Sequence, residues 1–218
     1  MDKLFDNFYN YKGFGPSISP AIPADELCNS FQNTVPDQLI SYWKEHGFSG
    51  WGEGIFWLVN PLEYKSILDA WLEGTPFEDK DEYSVIARTA FGSLFVWGKN
   101  TGASIDIHSP WGMLFPNDQS NKLAKFGPDK LIQGFFASQS KDYCDLTDEN
   151  NQPLFQKAKE KLGPLSHNEM YAFVPALALG GKADIKFLQK VSIFEHLALL
   201  ADLGEKRIMA DVNQALDE

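Results

Sequence analysis

The spacing of hydrophobic residues predicts two amphipathic helices in the first part of the chain. Apolar positions three and four residues apart mark one helix from Thr34, the expected N-cap, to Gly47, and another from the cap Asn60 to Gly74. A strand-like apolar run lies between the two helices. The inward stripes are expected to be Leu39, Ile40 and Trp43 in the first helix, and Ile67, Leu68 and Trp71 in the second.

Four short runs after an acidic turn predict an antiparallel meander. Each run is rich in β-branched and aromatic residues and is bounded by Gly, Asn or Pro. The runs are 83–88, 93–97, 104–108 and 112–115. Residues 1–34 are rich in Gly, Pro and aromatic residues, so they are expected to form an irregular arm that packs over another element. The first half is therefore predicted to be α+β.

The second half is predicted to contain three helices and one pair of strands. The first helix is expected to break at Gly127-Pro128, and Ser192 to Glu195 form a capping box that opens the last helix. The helices are expected over 123–137, over 153–162 and from 193 onward, with strands over 171–174 and 184–189. The whole chain is thus predicted to be α+β, with mixed helices and a mainly antiparallel sheet. We expect two similarly sized subdomains, 1–115 and 116–218, or one compact two-part domain.

The charge of the chain changes which partners are plausible. The net charge is −11, and residues 1–109 hold 7 Lys and Arg against 15 Asp and Glu, which gives −8. Residues 110–218 hold 12 against 15, which gives −3. An acidic surface repels nucleic-acid phosphates, so direct nucleic-acid binding is disfavoured, whereas a basic protein would be attracted. Solubility alone would also account for the charge.

Few residues suggest covalent chemistry or a cofactor. No histidine has a His or Cys neighbour at metal-ligand spacing, and no Gly-x-Ser-x-Gly motif is present. The glycines at 50–54 precede a strand, which favours a structural turn over a phosphate loop. Cys28 and Cys144 indicate reduced thiols, with one disulfide as the alternative. We expect no cofactor, no bound metal, no membrane span, no secretion signal and a cytoplasmic location.

The densest acidic segment lies between the second predicted helix and the meander. It could be an ordinary solvated turn, or an acidic finger whose aromatic residue anchors a basic partner. The candidate partner-binding residues are Glu73, Phe77, Glu78, Asp79, Asp81 and Glu82. The other carboxylates show no obvious catalytic pair, although such pairs can be far apart in sequence.

Two segments resemble a known family. The sequence FVPALALGG at 173–181, followed by EHLALL at 195–200, resembles the C-terminal domain of bacterial immunity proteins against DNase toxins delivered by type VI secretion. The sequence FSGWGEG at 48–54, with NPLEY at 60–64, is similar to the GAD-like domain that precedes it in that family. The two resemblances cover most of the chain, in the family's order.

The resemblance implies an inhibitor that is made alongside a DNase effector. Such a protein would wait in the cytoplasm and bind the cognate toxin when it arrives from a sister cell, and the resemblance brings no catalytic residue with it. Two alternatives stay open at this point. One is a non-catalytic regulatory module of similar fold with a different protein partner, and the other is an enzyme with dispersed carboxylates. The toxin's identity, the contact surface and the oligomeric state stay open.

Overall fold

The computed structural model describes residues 2–203 and 206–211. In chain order the first elements are α1 (Lys3–Asp6), β1 (Ile18–Ala21), α2 (Asp25–Ser30), α3 (Asp37–His46), β2 (Phe48–Trp51), β3 (Phe56–Leu58), α4 (Pro61–Leu72), β4 (Tyr83–Thr89), β5 (Leu94–Gly98), β6 (Gly102–His108) and β7 (Met113–Pro116). They are followed by α5 (Ser120–Phe126), α6 (Pro128–Ser138), α7 (Lys141–Cys144), α8 (Phe155–Leu162), β8 (Glu169–Phe173), β9 (Leu188–Ser192), α9 (Ile193–Asp202) and β10 (Arg207–Ile208).

The larger sheet has the strand order β1-β2-β3-β4-β5-β6-β7-β10. Its neighbouring strands are antiparallel except for β10, which runs parallel to β7 at one edge. The other sheet is the antiparallel pair β8 and β9. The predicted α+β class and the predicted meander, observed as β4 to β7, are therefore confirmed.

The N-terminal segment contributes three aromatic side chains to the hydrophobic core. Phe5, Phe8 and Phe14 are fully buried, and Phe8 stacks on Phe14 with ring centroids 4.4 Å apart. The expectation of an irregular arm over 1–34 was wrong, because this segment forms α1, a π-helical turn over Asn7–Tyr11, β1 and α2. Its aromatic residues do pack over the rest of the fold, as expected, and that packing orders the segment.

Helix α6 brings residues beyond position 115 onto the same aromatic core. The Phe136 ring packs edge-on against Phe5 at 5.3 Å and against Tyr42 at 5.2 Å. The break at Gly127-Pro128 is confirmed, since α5 ends at Phe126 and α6 begins at Pro128. Aromatic contacts thus cross the predicted boundary between 1–115 and 116–218, and that division stays a prediction.

The expected cap of α3 was wrong. Pro36 occupies the N-cap position, and the hydroxyl of Thr34 instead donates to Glu82 at 3.2 Å. The free amide of Gln38 in the first turn donates to the carboxylate of Asp129 at 2.9 Å. A residue 91 positions away in sequence therefore provides the cap, which no local pattern could show.

Two predictions near the C-terminal strands also need correction. Strand β9 covers Leu188–Ser192 instead of 184–189, because residues 185–187 form a 3₁₀ turn capped by Asp184. The expected capping box at Ser192 is absent, because Ser192 pairs with Glu169 in the sheet. The amide of Ile193 donates instead to the carbonyl of Asn168 at 2.9 Å. The predicted pairing of the two strands is confirmed, and the pair is antiparallel.

Two further observations concern the cysteines and the length of the helices. Cys28 and Cys144 are both free thiols with buried side chains, so the disulfide alternative does not apply. Among residues 2–203 and 206–211, no helix is long and apolar enough to cross a bilayer.

Candidate functional site

The predicted acidic segment forms a closed loop between α4 and β4. The carboxylate of Glu78 accepts a hydrogen bond from the backbone amide of Gly74 at 2.7 Å, and the amide of Phe77 donates to the Thr75 hydroxyl at 3.2 Å. Asp79 adopts a left-handed backbone conformation with φ of 56°. Short polar side chains such as Asp tolerate this conformation, so the turn is built from residues suited to it.

Asp81 anchors the C-terminal side of the loop to the turn between β5 and β6. Its carboxylate accepts hydrogen bonds from the backbone amide of Asn100 at 2.9 Å and from the Thr101 hydroxyl at 2.7 Å. The Asn100 side-chain amide donates to it at 2.8 Å. Because one carboxylate satisfies several donors, Asp81 is chiefly a structural residue of the loop.

Glu82 is neutralised by a neighbouring cation. Its carboxylate pairs with Lys99 at 3.0 Å, and that hydrogen bond lowers the pKa of Glu82. The Thr34 hydroxyl donates to the same carboxylate, which links the segment after α2 to the start of β4. Glu82 therefore contributes less negative charge to the surface than the sequence suggests.

A groove of about 540 Å³ runs between this loop, α4 and the end of α2. Its acidic side chains come from both the loop and α4, and one lysine, Lys65, lines it with them. Those carboxylates belong to Asp69, Glu78, Asp79, Asp81 and Glu82, and the apolar lining includes Phe31, Leu62, Leu68, Leu72 and Phe77. The groove therefore combines an apolar lining with several carboxylates, an arrangement suited to long basic side chains.

The structure brings together most of the residues predicted to bind a partner. Five of the six line the groove, whereas Glu73, at the end of α4, is exposed outside it. Phe77 is not the protruding anchor that the sequence suggested, because its side chain is only 8% exposed and belongs to the hydrophobic core. The exposed apolar side chain in the groove is Leu62, which is 55% exposed.

Sequence reasoning missed the contribution of α4 to this groove. Leu62, Lys65 and Asp69 lie three and four residues apart, so they share one face of the helix. Lys65 pairs with Asp69 at 2.9 Å on this face. That spacing could have identified the helix face, but nothing in the sequence placed Phe31 or Thr34 beside it.

A different cavity, of about 480 Å³, lies between β6 and helices α5 to α7. Two groups with raised pKa values line it, Asp106 and Tyr143, and the Asp106 carboxylate accepts a hydrogen bond from the Tyr143 hydroxyl at 2.6 Å. Burial raises the pKa of Asp106 to about 6, although the Tyr143 hydrogen bond opposes that rise. Tyr143 is 49% exposed and Phe126 is 54% exposed, so this cavity presents two aromatic rings to solvent beside the carboxyl group of Asp106.

Two of the histidines considered in the sequence, His46 and His167, have structural contacts in the fold. In the described part of the chain, no group of three or more His, Cys, Asp or Glu side chains is placed to hold a metal ion. His46 stacks on Phe5 at 5.1 Å, and burial lowers the pKa of its imidazole. His167 forms a hydrogen bond through Nε2 to the Phe48 carbonyl at 2.9 Å, which is a structural contact.

Comparison with known families identifies both parts of this chain. Residues 3–111 match the GAD-like domain, and residues 129–204 match the C-terminal domain of the T6SS immunity protein Tdi1. The chain therefore belongs to the family of type VI secretion immunity proteins that join these two domains in this order. The resemblance seen in the sequence is confirmed.

A solved structure shows the same fold. The crystal structure of Atu4351 from Agrobacterium tumefaciens matches with a TM-score of 0.82 at 20% sequence identity. The match covers 94% of this chain and 91% of that chain, so both parts of the fold are shared. No curated protein sequence matches the chain.

Proposed function

We propose that this immunity protein binds and neutralises a cognate DNase toxin in the cytoplasm, without catalysing a reaction. The observation that carries the proposal is the acidic groove, in which residues from the loop after α4 and from α4 itself converge around an apolar lining. A type VI immunity protein must recognise its own toxin, and this groove offers charge and apolar contact in one place. The partner surface that fits it is basic, with at least one apolar or long aliphatic side chain.

The charge of the groove suits a nuclease in particular. Proteins that hold DNA place Lys and Arg where the phosphates bind, and this basic surface would be attracted to clustered carboxylates. Glu78 and Asp79 are exposed, and no ion pair in the described part of the chain includes either of them. These two carboxylates are therefore well placed to steer association.

Inhibition follows from competition for the same cationic residues. A carboxylate that pairs with a phosphate-binding Lys or Arg removes that residue from DNA binding. The apolar side chain of Leu62 beside these carboxylates would add contact area that DNA cannot supply. We propose that the immunity protein occupies the DNA-binding surface of the toxin and needs no chemical modification of it.

Co-expression with candidate toxins tests this proposal. The toxins are those encoded beside the immunity gene, and each is also made as a catalytically inactive version for binding measurements. The expected result is a one-to-one complex with a nuclease and intact cellular DNA when both active proteins are present. Capture of a non-nuclease partner in place of a toxin would instead support a regulatory interaction module, and fragmented DNA despite complex formation would contradict neutralisation.

The variant Glu78→Lys/Asp79→Lys tests the groove within that experiment. Both side chains are exposed, and the charge changes by four units. Because the variant also removes the acceptor of the Gly74 amide and places Lys at a left-handed position, its unfolding transition is measured alongside binding to show that it stays folded. The matched control is Glu149→Lys/Glu160→Lys, which makes the same charge change at exposed positions in the second half of the chain. We expect protection to fall in the groove variant and to persist in the control.

A further inference from the structure

A buried cation that forms no ion pair lies at the junction between the large sheet and the segment that leads into β8, with Glu169 as the nearby opposite charge. Arg88, on β4, is 0% exposed, and its guanidinium lies over the Trp57 ring at 4.9 Å. None of the ion pairs in residues 2–203 and 206–211 includes Arg88. An arginine stays protonated in proteins, so the fold holds a desolvated positive charge at this point.

The hydrogen bonds of Arg88 account for only part of its donors. Its terminal nitrogens donate to the carbonyls of Thr89 at 3.3 Å, Ser166 at 3.3 Å and His167 at 3.0 Å. Its Nε–H has no hydrogen-bond partner among the described residues although it is buried. Carbonyl groups satisfy donors but do not cancel a full charge, and burial accordingly lowers the pKa of Arg88.

The hydroxyl of Tyr64 is a second buried group without a hydrogen-bond partner among the described residues. The Tyr64 residue is 2% exposed. Burial raises the pKa of Tyr64, and the charge of Arg88 together with a polar side-chain contact to it opposes that rise. The two side chains line the same cavity, yet no contact between them has normal hydrogen-bond geometry for the Tyr64 hydroxyl or for Arg88 Nε–H. An acceptor placed between them would satisfy both donors.

Both residues line one cavity of about 130 Å³. Its lining also includes Asn60, Glu63 and Asn168, and Glu63 and Asn168 are exposed to solvent. An engineered cavity of about 150 Å³ holds a benzene molecule, so this one has room for a group of a few heavy atoms. Glu63 is acidic, and its repulsion is larger for an occupant with two negative charges than for an occupant with one.

We infer that this cavity is a binding site for a small monovalent carboxylate, which accepts hydrogen bonds from Arg88 Nε–H and the Tyr64 hydroxyl. The carboxylate supplies the charge that the guanidinium lacks and the acceptors that both donors lack. Arg88 also donates hydrogen bonds to the carbonyls of Ser166 and His167, which join β4 to the segment before β8. A carboxylate that fixes the Arg88 side chain therefore stabilises this junction as well.

The chain allows a direct spectroscopic test. It contains only two arginines, Arg88 and Arg207, so the Nε–H region of a ¹⁵N-labelled sample holds two side-chain signals, and Arg207→Lys assigns them. Acetate replaces chloride at constant ionic strength during the titration. The expected result is a saturable shift of the Arg88 signal at millimolar acetate, while the exposed Arg207 signal moves only slightly and without saturation.

The variant Tyr64→Phe removes one of the two donors. Its hydroxyl has no partner in the described structure, so the variant is expected to fold, and acetate affinity should fall at least threefold. Tyr9→Phe, on the N-terminal segment away from the cavity, is the matched control and should leave acetate affinity unchanged. An Arg88 signal that does not move, or that moves like the Arg207 signal, would overturn the inference and indicate that water alone fills the cavity.

The same titration separates two sources of the carboxylate. If a side chain of the toxin provides it, saturating acetate weakens toxin binding; if a free metabolite provides it, toxin binding is unaffected. This arm depends on the proposed function, whereas the spectroscopic arm uses the immunity protein alone. Failure of one is therefore distinguishable from failure of the other.

Discussion

The carboxylate of Asp81 accepts a hydrogen bond from the backbone amide of Asn100 at 2.9 Å. The acidic loop after α4 is thereby fixed to the turn between β5 and β6 before any partner arrives. A loop that is already ordered loses less conformational entropy on binding. The candidate groove is therefore a preorganised surface.

Replacing Asp81 with alanine is expected to lower the free energy of unfolding by about 2 kcal/mol. The variant leaves the Asn100 amide and the Thr101 hydroxyl without their acceptor, and losing several hydrogen bonds to a charged group has a cost of this order. Urea unfolding followed by tryptophan fluorescence measures the change. Glu73→Gln, at an exposed position outside the groove, serves as the control and should stay within about 0.5 kcal/mol of wild type.

Asp129, which is distant in sequence, caps the first turn of α3. Asp129→Ala removes the acceptor of the Gln38 amide and should destabilise the fold by about 1 kcal/mol, the usual effect of losing a helix cap. Asp129→Asn keeps an oxygen at the same place and should lose less than half as much. Equal losses in the two variants would show that charge, and not the cap, accounts for the effect.

Local sequence patterns correctly predicted several helices and strands. The buried stripe of α4, its Asn60 cap, the meander and the break between α5 and α6 all follow from periodicity and from Gly and Pro positions. The N-terminal segment was mispredicted because tertiary packing, and not local propensity, orders Phe5, Phe8 and Phe14. Strand β10 was missed because a two-residue edge strand carries no periodic signal.

The candidate site was predictable only in part, for a similar reason. Charge density identified the acidic loop, but it could not show that Asp81 and Glu82 are held by Asn100, Thr101 and Lys99. Composition also suggested an exposed Phe77, which the core instead covers. Which carboxylates are available to a partner depends on contacts between residues that are far apart in sequence.

A side chain at Gly92 is expected to displace the Met170 side chain and to destabilise the fold. Gly92 lies in the β4–β5 turn with φ of 85°, and a Cβ there would come within 2.4 Å of the Met170 methyl carbon on β8. Gly180 has a similar φ of 82°, with ψ of 15° in the left-handed region, and open space around it. Gly180→Ala should therefore show the backbone penalty alone, about 1 kcal/mol, and Gly92→Ala should lose about 1 kcal/mol more, because the buried Met170 side chain has to move. Chemical unfolding of both variants measures the difference, and equal losses would contradict the close approach.

The pKa of Asp106 predicts a specific pH dependence of stability. Because burial raises the pKa from 3.8 to about 6, the folded state binds the proton more tightly than the unfolded state does. This group's contribution is therefore fully present below about pH 4, falls as the pH rises to about 6, and stays low above that pH.

Asp106→Asn removes this titration and keeps an acceptor for the Tyr143 hydroxyl. The variant should gain about 1 to 2 kcal/mol relative to wild type between pH 4 and pH 7, because wild type alone carries the ionised, part-buried carboxylate there. Urea unfolding of both proteins across this range measures the difference. A difference that does not change with pH would contradict the raised pKa.

The most direct test of the central claim is the association rate constant of the catalytically inactive toxin, measured at several salt concentrations. Glu78→Lys/Asp79→Lys should slow association about tenfold or more at low salt, and the rates should converge with wild type as salt screens the charges. Glu149→Lys/Glu160→Lys should change the rate about threefold or less at every salt concentration. Equal slowing in the two variants, or no slowing in the first, would contradict recognition through the acidic groove.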